Sequence, residues 1–550
     1  MASAAATKHR LWGWLALVCV LLFVAAVRIR LRDMPLERDE GEFAYGGQLL
    51  LQGVPPGRLL YTLKLPGTHV AYAALMCLFG QSNAGVHLGF LLVNAATIVL
   101  LFLLARALLG NVAASIAAAT YGLLSLSPGV LGTSAHATHF VVLMAVAGLW
   151  WLWRAANSGR RLAYLGAGAM LGASVLMKHN GLMFVALALG WLVALGFTKQ
   201  FAPSPPLWKA LLFFAAGVAT PLLLLVLLLW WSGTWENCWF WSVKYAQAYA
   251  KPNPGFTLTW LNLMQRMPAV LVIPFYFAVT GTAVLWLRRE SRSVALFATS
   301  WLALSLLAVV PGLHLRPHYY VLLIPVISFL VGALAQQITG WIAGSRIKFL
   351  AVAPTVTFVV MFAAGVAREQ SFLFQQDALT AGRTLYGQQP FPEAIVLADY
   401  IRTNSTASDR IAVLGSEPEI YFHARRQSAT GFIYTYPLSE NQPFAETMRR
   451  QMQDEIAAAQ PKFVVQVRTW TSWLTRPSGL KRIDQLCGSL MPPHYRLVAA
   501  GEVLPAAAAL AAGAWQGLRK RSRGRRWRTA RFPQQLAVRR TARRFLREPG

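Results

Sequence analysis

Long apolar runs separated by short polar breaks repeat along the first two thirds of the chain. Eleven of these runs are long enough, or nearly long enough, to cross a bilayer as helices of about 20 residues. They lie at 11–27, 84–108, 112–128, 136–156, 162–177, 180–198, 208–231, 264–287, 293–311, 318–340 and 348–366. The pattern predicts an all-α polytopic membrane domain over residues 1–366. Residues 66–80 are apolar but short, so we expect them to lie along the membrane interface.

The first run admits a second interpretation, because basic residues precede it as in a secretory signal peptide. The run is long for a signal peptide, and no small-x-small cleavage site precedes Arg28. We therefore predict a retained first helix with its N-terminus in the cytoplasm.

The pattern changes after residue 366. Two short apolar segments, 410–415 and 462–467, have the character of buried strands, and 444–460 between them has a helical apolar period. These features predict a small soluble α/β domain over 367–504. Residues 505–550 are rich in Arg without an apolar period, so we expect a disordered basic tail there.

The composition decides between classes of protein. The chain is 56% hydrophobic and 13% charged, which is typical of a membrane protein. A large share of the formal net charge of +30 lies in the tail, and much of the rest in loops on one side of the predicted bundle. Basic loops mark the cytoplasmic side. The charge therefore indicates membrane orientation, with the segments 28–66 and 367–504 outside, and no nucleic-acid partner is expected.

The loop predicted at 28–66 carries the densest acidic cluster, Arg38-Asp39-Glu40-Gly41-Glu42. Acids beside a helix end are commonly solvated surface residues. Three carboxylates in four positions at a membrane surface favour a catalytic role, since a carboxylate there can remove a proton from an acceptor.

Two cationic segments lie on the same predicted side. Lys64 lies three residues after Tyr61. Its ammonium group either extends to the membrane interface or contacts a lipid phosphate. The segment His314-Leu315-Arg316-Pro317-His318-Tyr319-Tyr320 resembles an anion cradle, although an aromatic belt is the alternative. A metal held by His314 and His318 is disfavoured because Pro317 opposes a helix there.

Lys178 and His179 interrupt the apolar pattern between two predicted spans, and we expect both to face the outer cavity. Without this break the later topology would invert and the positive-inside pattern would fail. The other residues expected in the substrate cavity are Glu42, Tyr61 and Tyr319. The four cysteines have neither metal-ligand spacing nor a disulfide framework. No metal-ligating residue and no cofactor is expected, and dependence on a divalent metal ion is left open.

Taken in order, these motifs resemble the GT-C glycosyltransferases, in particular the protein O-mannosyltransferase and aminoarabinose transferase group. The resemblance covers residues 10–366, and Gly415-Ser416-Glu417-Pro418-Glu419-Ile420-Tyr421 and Tyr434-Thr435-Tyr436-Pro437 look like the soluble part of bacterial members. It implies that Asp39 is the catalytic base and Glu40 the second acid. It also implies that Lys64, Arg316 and His318 contact the donor phosphate. Glu42 stands where several relatives have a basic residue.

The expected reaction follows from this resemblance. A sugar is transferred from a polyprenyl-phosphate donor to a protein, lipid or glycan acceptor at the outer face of a membrane, with inversion. We expect a bacterial inner-membrane protein. A transporter or flippase for lipid-linked sugars is the first alternative, and it would place charges within the spans. A membrane receptor with an outer ligand-binding domain is the second, and it would not need Asp39.

Overall fold

The computed structural model of the chain describes residues 2–198, 205–249, 260–310, 314–474, 480–490, 495–502 and 535–541. Its first part is a helical bundle. The helices are α1 Ala2–Arg30, α2 Arg38–Leu51, α3 Gly67–Phe79, α4 Asn83–Leu108, α5 Asn111–Leu124, α6 Ala137–Ser158, α7 Arg161–Met177, α8 Leu182–Thr198, α9 Leu207–Trp231, α10 Trp235–Trp239, α11 Ala246–Tyr249, α12 Trp260–Gln265, α13 Ala269–Leu287, α14 Arg292–Val309, α15 Ile324–Ala343 and α16 Ala353–Arg368.

Nine segments of the described residues are long and apolar enough to cross a membrane. Each of the eleven predicted spans coincides with a helix, and the two that fall below this length are α5 and α7. The predicted break after α7 is confirmed, because Lys178 is extended and α8 begins at Leu182. The chain is therefore an integral membrane protein, as predicted.

Prolines change two of the predicted spans. The span predicted at 264–287 is interrupted around Pro268, which separates α12 from α13. The span predicted at 318–340 begins as a 3₁₀ helix, Pro317–Leu323, before α15 starts. A proline lacks the N–H that a continuous α-helix requires at these positions.

Small residues let the helices of the bundle approach closely. A Cβ on Gly168 of α7 would lie 2.1 Å from the carbonyl oxygen of Phe214, and one on Gly217 of α9 would lie 2.1 Å from that of Leu165. Close backbone approach of this kind is how membrane helices associate where lipid removes the hydrophobic drive. The opposite side of α9 exposes large apolar residues, including Leu223, Leu224 and Trp231, as expected for contact with lipid.

The segment 28–66 is a correction to the prediction of a loop. It contains the 14-residue helix α2, whose N-cap Glu37 accepts from the backbone N–H of Glu40 while the Glu40 side chain accepts from that of Glu37. This reciprocal capping satisfies N–H groups that have no partner within the helix. The acidic cluster thus forms the first turns of a helix.

An α/β domain follows the bundle. Its helices are α17 Ala378–Tyr386, α18 Phe391–Thr403, α19 Glu419–Ala424, α20 Tyr436–Ser439, α21 Ala445–Ala459 and α22 Leu480–Leu490, and its strands are β1 Ile411–Leu414, β2 Phe463–Val467, β3 Tyr495–Glu502 and β4 Gln535–Thr541. The sheet order is β1-β2-β4-β3. Strands β1 and β2 are parallel, and β4 is antiparallel to both of its neighbours. The predicted strands at 410–415 and 462–467 and the helix at 444–460 are all present.

The predicted basic tail, 505–550, lies outside the described residues except for β4. These seven residues differ from the prediction of disorder, because their backbone pairs with β2 on one side and β3 on the other. Pairing on both sides satisfies the backbone irrespective of the Arg-rich composition.

Candidate active site

Helix α2 lies between the bundle and the α/β domain. Its Gly46 faces α3 so closely that a Cβ would come within 2.1 Å of the His69 ring. On another face, a Cβ on Gly41 would come within 2.6 Å of the backbone nitrogen of Glu419. Both contacts require glycine, and together they fix α2 from two sides.

Lys64 joins two carboxylates of α2. Its Nζ lies 2.8 Å from Asp39 Oδ1 and forms a second ion pair with Glu42. Burial alone would raise the pKa of the Asp39 carboxyl, but the Lys64 ammonium and the nearby imidazoles of His318 and His136 hold it well below its usual range. Asp39 is therefore an anion, and its side chain keeps 22% of its surface exposed.

Glu42 is enclosed by hydrogen-bond donors. Its Oε1 accepts from Thr62 Oγ1 at 2.6 Å and faces His69 Nε2 at 3.6 Å, while its Oε2 accepts from the Tyr434 hydroxyl at 2.6 Å and faces Lys64. Burial alone would raise the pKa of Glu42, but Lys64 and His69 hold it below its ordinary value. The place of Glu42 in a substrate cavity stays a prediction; the structure shows its side chain fully buried and bound by these four groups.

The structure does not group Glu40 with Asp39. Successive helical residues point about 100° apart. The fully buried Glu40 accepts from the backbone N–H of Ala135 at 2.6 Å and lies 3.1 Å from His87 Nε2. Burial alone would raise the pKa of Glu40, but the contacts with His87 and Ala135 lower it. Glu40 thus anchors α2 to the bundle through its side chain.

Two stacked histidines stand beside Asp39. The rings of His136 and His318 lie 4.1 Å apart and are nearly parallel, and His136 Nδ1 lies 3.8 Å from Asp39 Oδ2. These three residues could hold a metal ion, since each offers one ligand atom and these atoms lie within 4.8 Å of one another. Lys64 is paired with the other oxygen of Asp39, so the charge of this carboxylate already has a cationic partner.

Lys178 and Arg316 supply further positive charge. Lys178 Nζ lies over the Tyr319 ring at 3.8 Å from the centroid. Asp39 and Tyr319 are among the groups whose charge acts on Arg316. Within the part of the chain that the structure describes, neither cation forms an ion pair with a carboxylate. Two largely buried cations without such partners could bind an anion. His179, the neighbour of Lys178 in the chain, is exposed.

An apolar cleft leads to Lys64. It has a volume of about 200 Å³ and is lined by residues of α2, of α9 and of the segment 54–66 between α2 and α3. Leu222, Leu225 and Leu229 of α9 line it, together with the polar residues Thr62, Lys64, His69, Asn237 and Ser242. A long hydrocarbon chain with a polar head fits this division of the surface.

The Tyr61 side chain contacts Trp241 and the α/β domain. Its ring stacks on Trp241 at 5.6 Å, and its hydroxyl donates to Glu455 of α21 at 2.8 Å. The role of Tyr61 in the cavity stays a prediction; the structure shows it joining the segment 28–66 to the α/β domain.

Sequence reasoning missed two residues of the site, His136 and Tyr434. His136 had a visible signal, since it lies with His139 at the start of the apolar run of α6. The sequence signal of Tyr434 is weaker, because the resemblance of Tyr434–Pro437 to bacterial members of the family assigns no role to this residue. Both come from segments far along the chain from Asp39, so spacing could not join them.

The fold and the site define a class: a polytopic membrane protein with an α/β domain and a buried carboxylate–lysine centre beside an apolar cleft. Residues 66–230 match the family model described as dolichyl-phosphate-mannose-protein mannosyltransferase. A comparison with curated protein sequences gives no significant match.

Solved structures share the fold. ArnT from Cupriavidus metallidurans, bound to undecaprenyl phosphate, has a TM-score of 0.56 at 18% identity, with 98% of this chain and 99% of that chain covered. The archaeal oligosaccharyltransferase AglB from Archaeoglobus fulgidus, in complex with an inhibitory peptide and a dolichol-phosphate, has a TM-score of 0.55 at 12% identity, with 96% and 88% covered. The predicted fold class and the predicted resemblance to the GT-C glycosyltransferases are thereby confirmed.

Proposed function

We propose that the protein transfers a sugar from a polyprenyl-phosphate donor to an acceptor on the outer membrane face, with Asp39 as general base. The observation that carries this proposal is the difference between the two oxygens of Asp39. Oδ1 is held by Lys64 at 2.8 Å, whereas no described residue donates a hydrogen bond to Oδ2, and His136 Nδ1 lies 3.8 Å from it. An oriented, partly exposed carboxylate with one available oxygen is suited to accept a proton.

The donor's parts match the surroundings of Asp39. The isoprenoid tail would lie in the apolar cleft beside α9, and its phosphate would be received by Arg316 and Lys178. The ArnT and AglB structures named above hold a polyprenyl phosphate, which supports this class of donor. Lys64 has less charge to offer the phosphate, because two carboxylates share it.

The proposed reaction requires a general base for the acceptor proton, whereas the leaving phosphate requires no general acid. The bond between the anomeric carbon and the phosphate oxygen breaks, the acceptor oxygen or nitrogen bonds to that carbon, and its proton moves to Asp39. A phosphate leaves as a stable anion, so fixed cations suffice to stabilise the charge that develops there. A single displacement inverts the anomeric configuration, whereas retention needs a carboxylate nucleophile.

Metal ions do not enter this proposal. Asp39, His136 and His318 could hold one, but the pairing of Asp39 with Lys64 supplies a positive charge in the same place. We therefore propose catalysis without a cofactor, and we expect full activity after dialysis against a chelator.

The orientation in the membrane is part of the same proposal. The N-terminus would be cytoplasmic and the α/β domain extracytoplasmic, in a bacterial inner membrane, because the basic loops Arg160–Arg161 and Arg288–Arg289 then lie inside.

The direct test compares the wild type with Asp39→Asn. Both would be given polyprenyl-phosphate sugars with a hydroxyl-bearing peptide, a glycolipid or a glycan as acceptor, and release of polyprenyl phosphate would be followed by mass spectrometry. We expect Asp39→Asn to lower turnover by at least about 100-fold, the usual contribution of a general base. Product anomers would be identified by NMR, and inversion is expected.

Asp33→Asn is the matched control, because Asp33 lies in the same outer segment and is 67% exposed. It should turn over as the wild type does. Equal turnover by Asp39→Asn would refute the role of Asp39. If the wild type releases nothing, thermal stabilisation by polyprenyl phosphate that is lost in Arg316→Met points to an acceptor outside the panel, and no stabilisation favours the transporter alternative.

A further inference from the structure

One face of α2 is bound to the α/β domain along its length. Arg38 donates to the carbonyl oxygen of Ser416 at 2.5 Å, Gly41 lies against the backbone of Glu419, and Glu42 accepts from Tyr434. Farther along, the Tyr45 hydroxyl accepts from the backbone N–H of Ser428 at 2.7 Å. Positions 38, 41, 42 and 45 follow the spacing of a single helix face. The domain therefore contacts the helix that carries the carboxylates at every turn.

Arg38 strengthens this contact with charge. Its guanidinium forms an ion pair with the fully buried Glu417 at 3.1 Å, and Glu417 accepts in turn from Ser472 at 2.6 Å. Breaking a buried pair of this kind leaves an uncompensated charge. The interface is therefore a fixed part of the fold.

Tyr434 is the member of this interface that reaches the reacting groups. The residue is 4% exposed, and its hydroxyl lies 2.6 Å from Glu42 Oε2 and 3.4 Å from Asp39 Oδ1. The Lys64 ammonium lies 5.7 Å from the centre of the Tyr434 ring. The α/β domain thus places a hydrogen-bond donor between the two carboxylates.

The contact with Tyr434 affects Asp39 through Lys64. Glu42 Oε2 is shared by the Tyr434 hydroxyl and the Lys64 ammonium, and Lys64 also binds Asp39. Without the hydroxyl, Glu42 Oε2 would keep Lys64 as its one remaining donor among the described residues, and Lys64 would move toward Glu42. Asp39 would then lose the cation that orients it and lowers its pKa.

We propose that Tyr434 is a positioning residue of the active site, so that the α/β domain completes the catalytic centre of the membrane domain. This inference rests on the proposed function. It goes beyond it by making the docked position of the outer domain a condition for catalysis.

The test compares Tyr434→Phe with Tyr400→Phe. The first removes the hydroxyl that binds Glu42 and keeps the ring, and the second makes the same change on α18, where Tyr400 is 38% exposed. Turnover would be measured against donor concentration and pH. We expect Tyr434→Phe to lower kcat by about 10-fold or more, the value of a hydrogen bond to a charged group, with the KM for donor unchanged.

The pH profile separates positioning from a general loss of structure. The groups that face Glu42 are Lys64, His69, Asp39 and Tyr434. Loss of the Tyr434 hydroxyl removes a donor from Glu42, so it should raise the pKa of Glu42 and move the acid limb of the profile to higher pH. Tyr400→Phe should leave both kcat and the acid limb in place.

Hydrogen exchange of the backbone amides of residues 38–45 gives a readout that does not require turnover. We expect faster exchange there in Tyr434→Phe and no change in Tyr400→Phe. Wild-type kinetics in Tyr434→Phe would overturn the inference. If the wild type itself fails to turn over, the proposed function fails, and exchange then decides alone: unchanged exchange at 38–45 in Tyr434→Phe overturns the inference, and faster exchange supports it.

Discussion

The charge of Lys178 should make the proposed binding of the donor phosphate depend on pH. Burial and the cations Lys64 and Arg316 lower the pKa of the Lys178 ammonium to about 7, against the opposing effect of Asp39. Lys178 is therefore protonated below pH 7 and loses its charge as the pH rises through that value. An anionic phosphate binds the protonated form better. We expect the affinity for polyprenyl phosphate to fall between pH 6.5 and 8.5, as measured by titration in detergent.

The matched variant for this prediction is Lys178→Arg, which keeps a positive charge at every pH in the range. Its affinity should decline less than that of the wild type, so the ratio of the two affinities isolates the contribution of Lys178. The charged, titratable and aromatic groups around Lys178 are Asp39, Lys64, His136, His179, Arg316, His318 and Tyr319. Parallel pH curves for the two proteins would contradict the prediction.

The residues of the site differ in how far the sequence could predict them. Asp39 and Lys64 could be found, because few charges lie among long apolar runs. The roles of Glu40 and Glu42 could not, because they depend on which way a helix turns its side chains. Once residues 38–51 are helical, Glu40 points to His87 and Glu42 to Lys64. Adjacent acids with similar sequence signals thus have separate structural roles.

Helix α2 depends on Gly41 to lie against the α/β domain. Gly41→Ala would place a Cβ 2.6 Å from the Glu419 nitrogen, so backbone must move on one side. Overpacking of this kind destabilises by about 1–3 kcal/mol. We expect a lower melting temperature in detergent and lower turnover, since the same movement separates Tyr434 from Glu42.

Gly190→Ala is the control for this change. Gly190 lies within α8, and a Cβ there meets nothing within 4 Å. Alanine has a higher helix propensity than glycine, so Gly190→Ala should be neutral or slightly stabilising. If Gly41→Ala melts and turns over as Gly190→Ala does, the close approach of α2 to the α/β domain is not needed.

At the level of elements, the apolar pattern predicted the helices that lipid surrounds. It did not predict α2, because that helix has polar residues and glycines on faces that two protein surfaces cover. Its start is marked in the sequence by Glu37 and Glu40, which cap it reciprocally. The spacing of apolar residues and the hydrophobicity of a segment predict helices that contact lipid. They do not predict a helix that protein covers on every side.

Because the α/β domain contacts α2 directly, the domain and the carboxylates of α2 must lie on the same side of the membrane. An odd number of spans, eleven, between a cytoplasmic N-terminus and residue 367 gives this arrangement. Nine spans give it as well, so the count alone is not decisive for the sides. The side on which the loop between α6 and α7 lies does decide the orientation, because the proposed orientation places this loop in the cytoplasm.

Cysteine labelling tests this arrangement directly. Ser408→Cys in the α/β domain and Ser158→Cys at the end of α6 would be made in a chain whose native cysteines are serine; both positions are exposed. In spheroplasts of a bacterial host, a membrane-impermeant maleimide should label Ser408→Cys at once and Ser158→Cys only after permeabilisation. Labelling of both before permeabilisation, or of Ser158→Cys alone, would contradict the orientation. Because Tyr434 contacts Glu42 directly, a label that places the α/β domain outside also places the carboxylates of α2 outside, where a lipid-linked donor and an extracytoplasmic acceptor can meet.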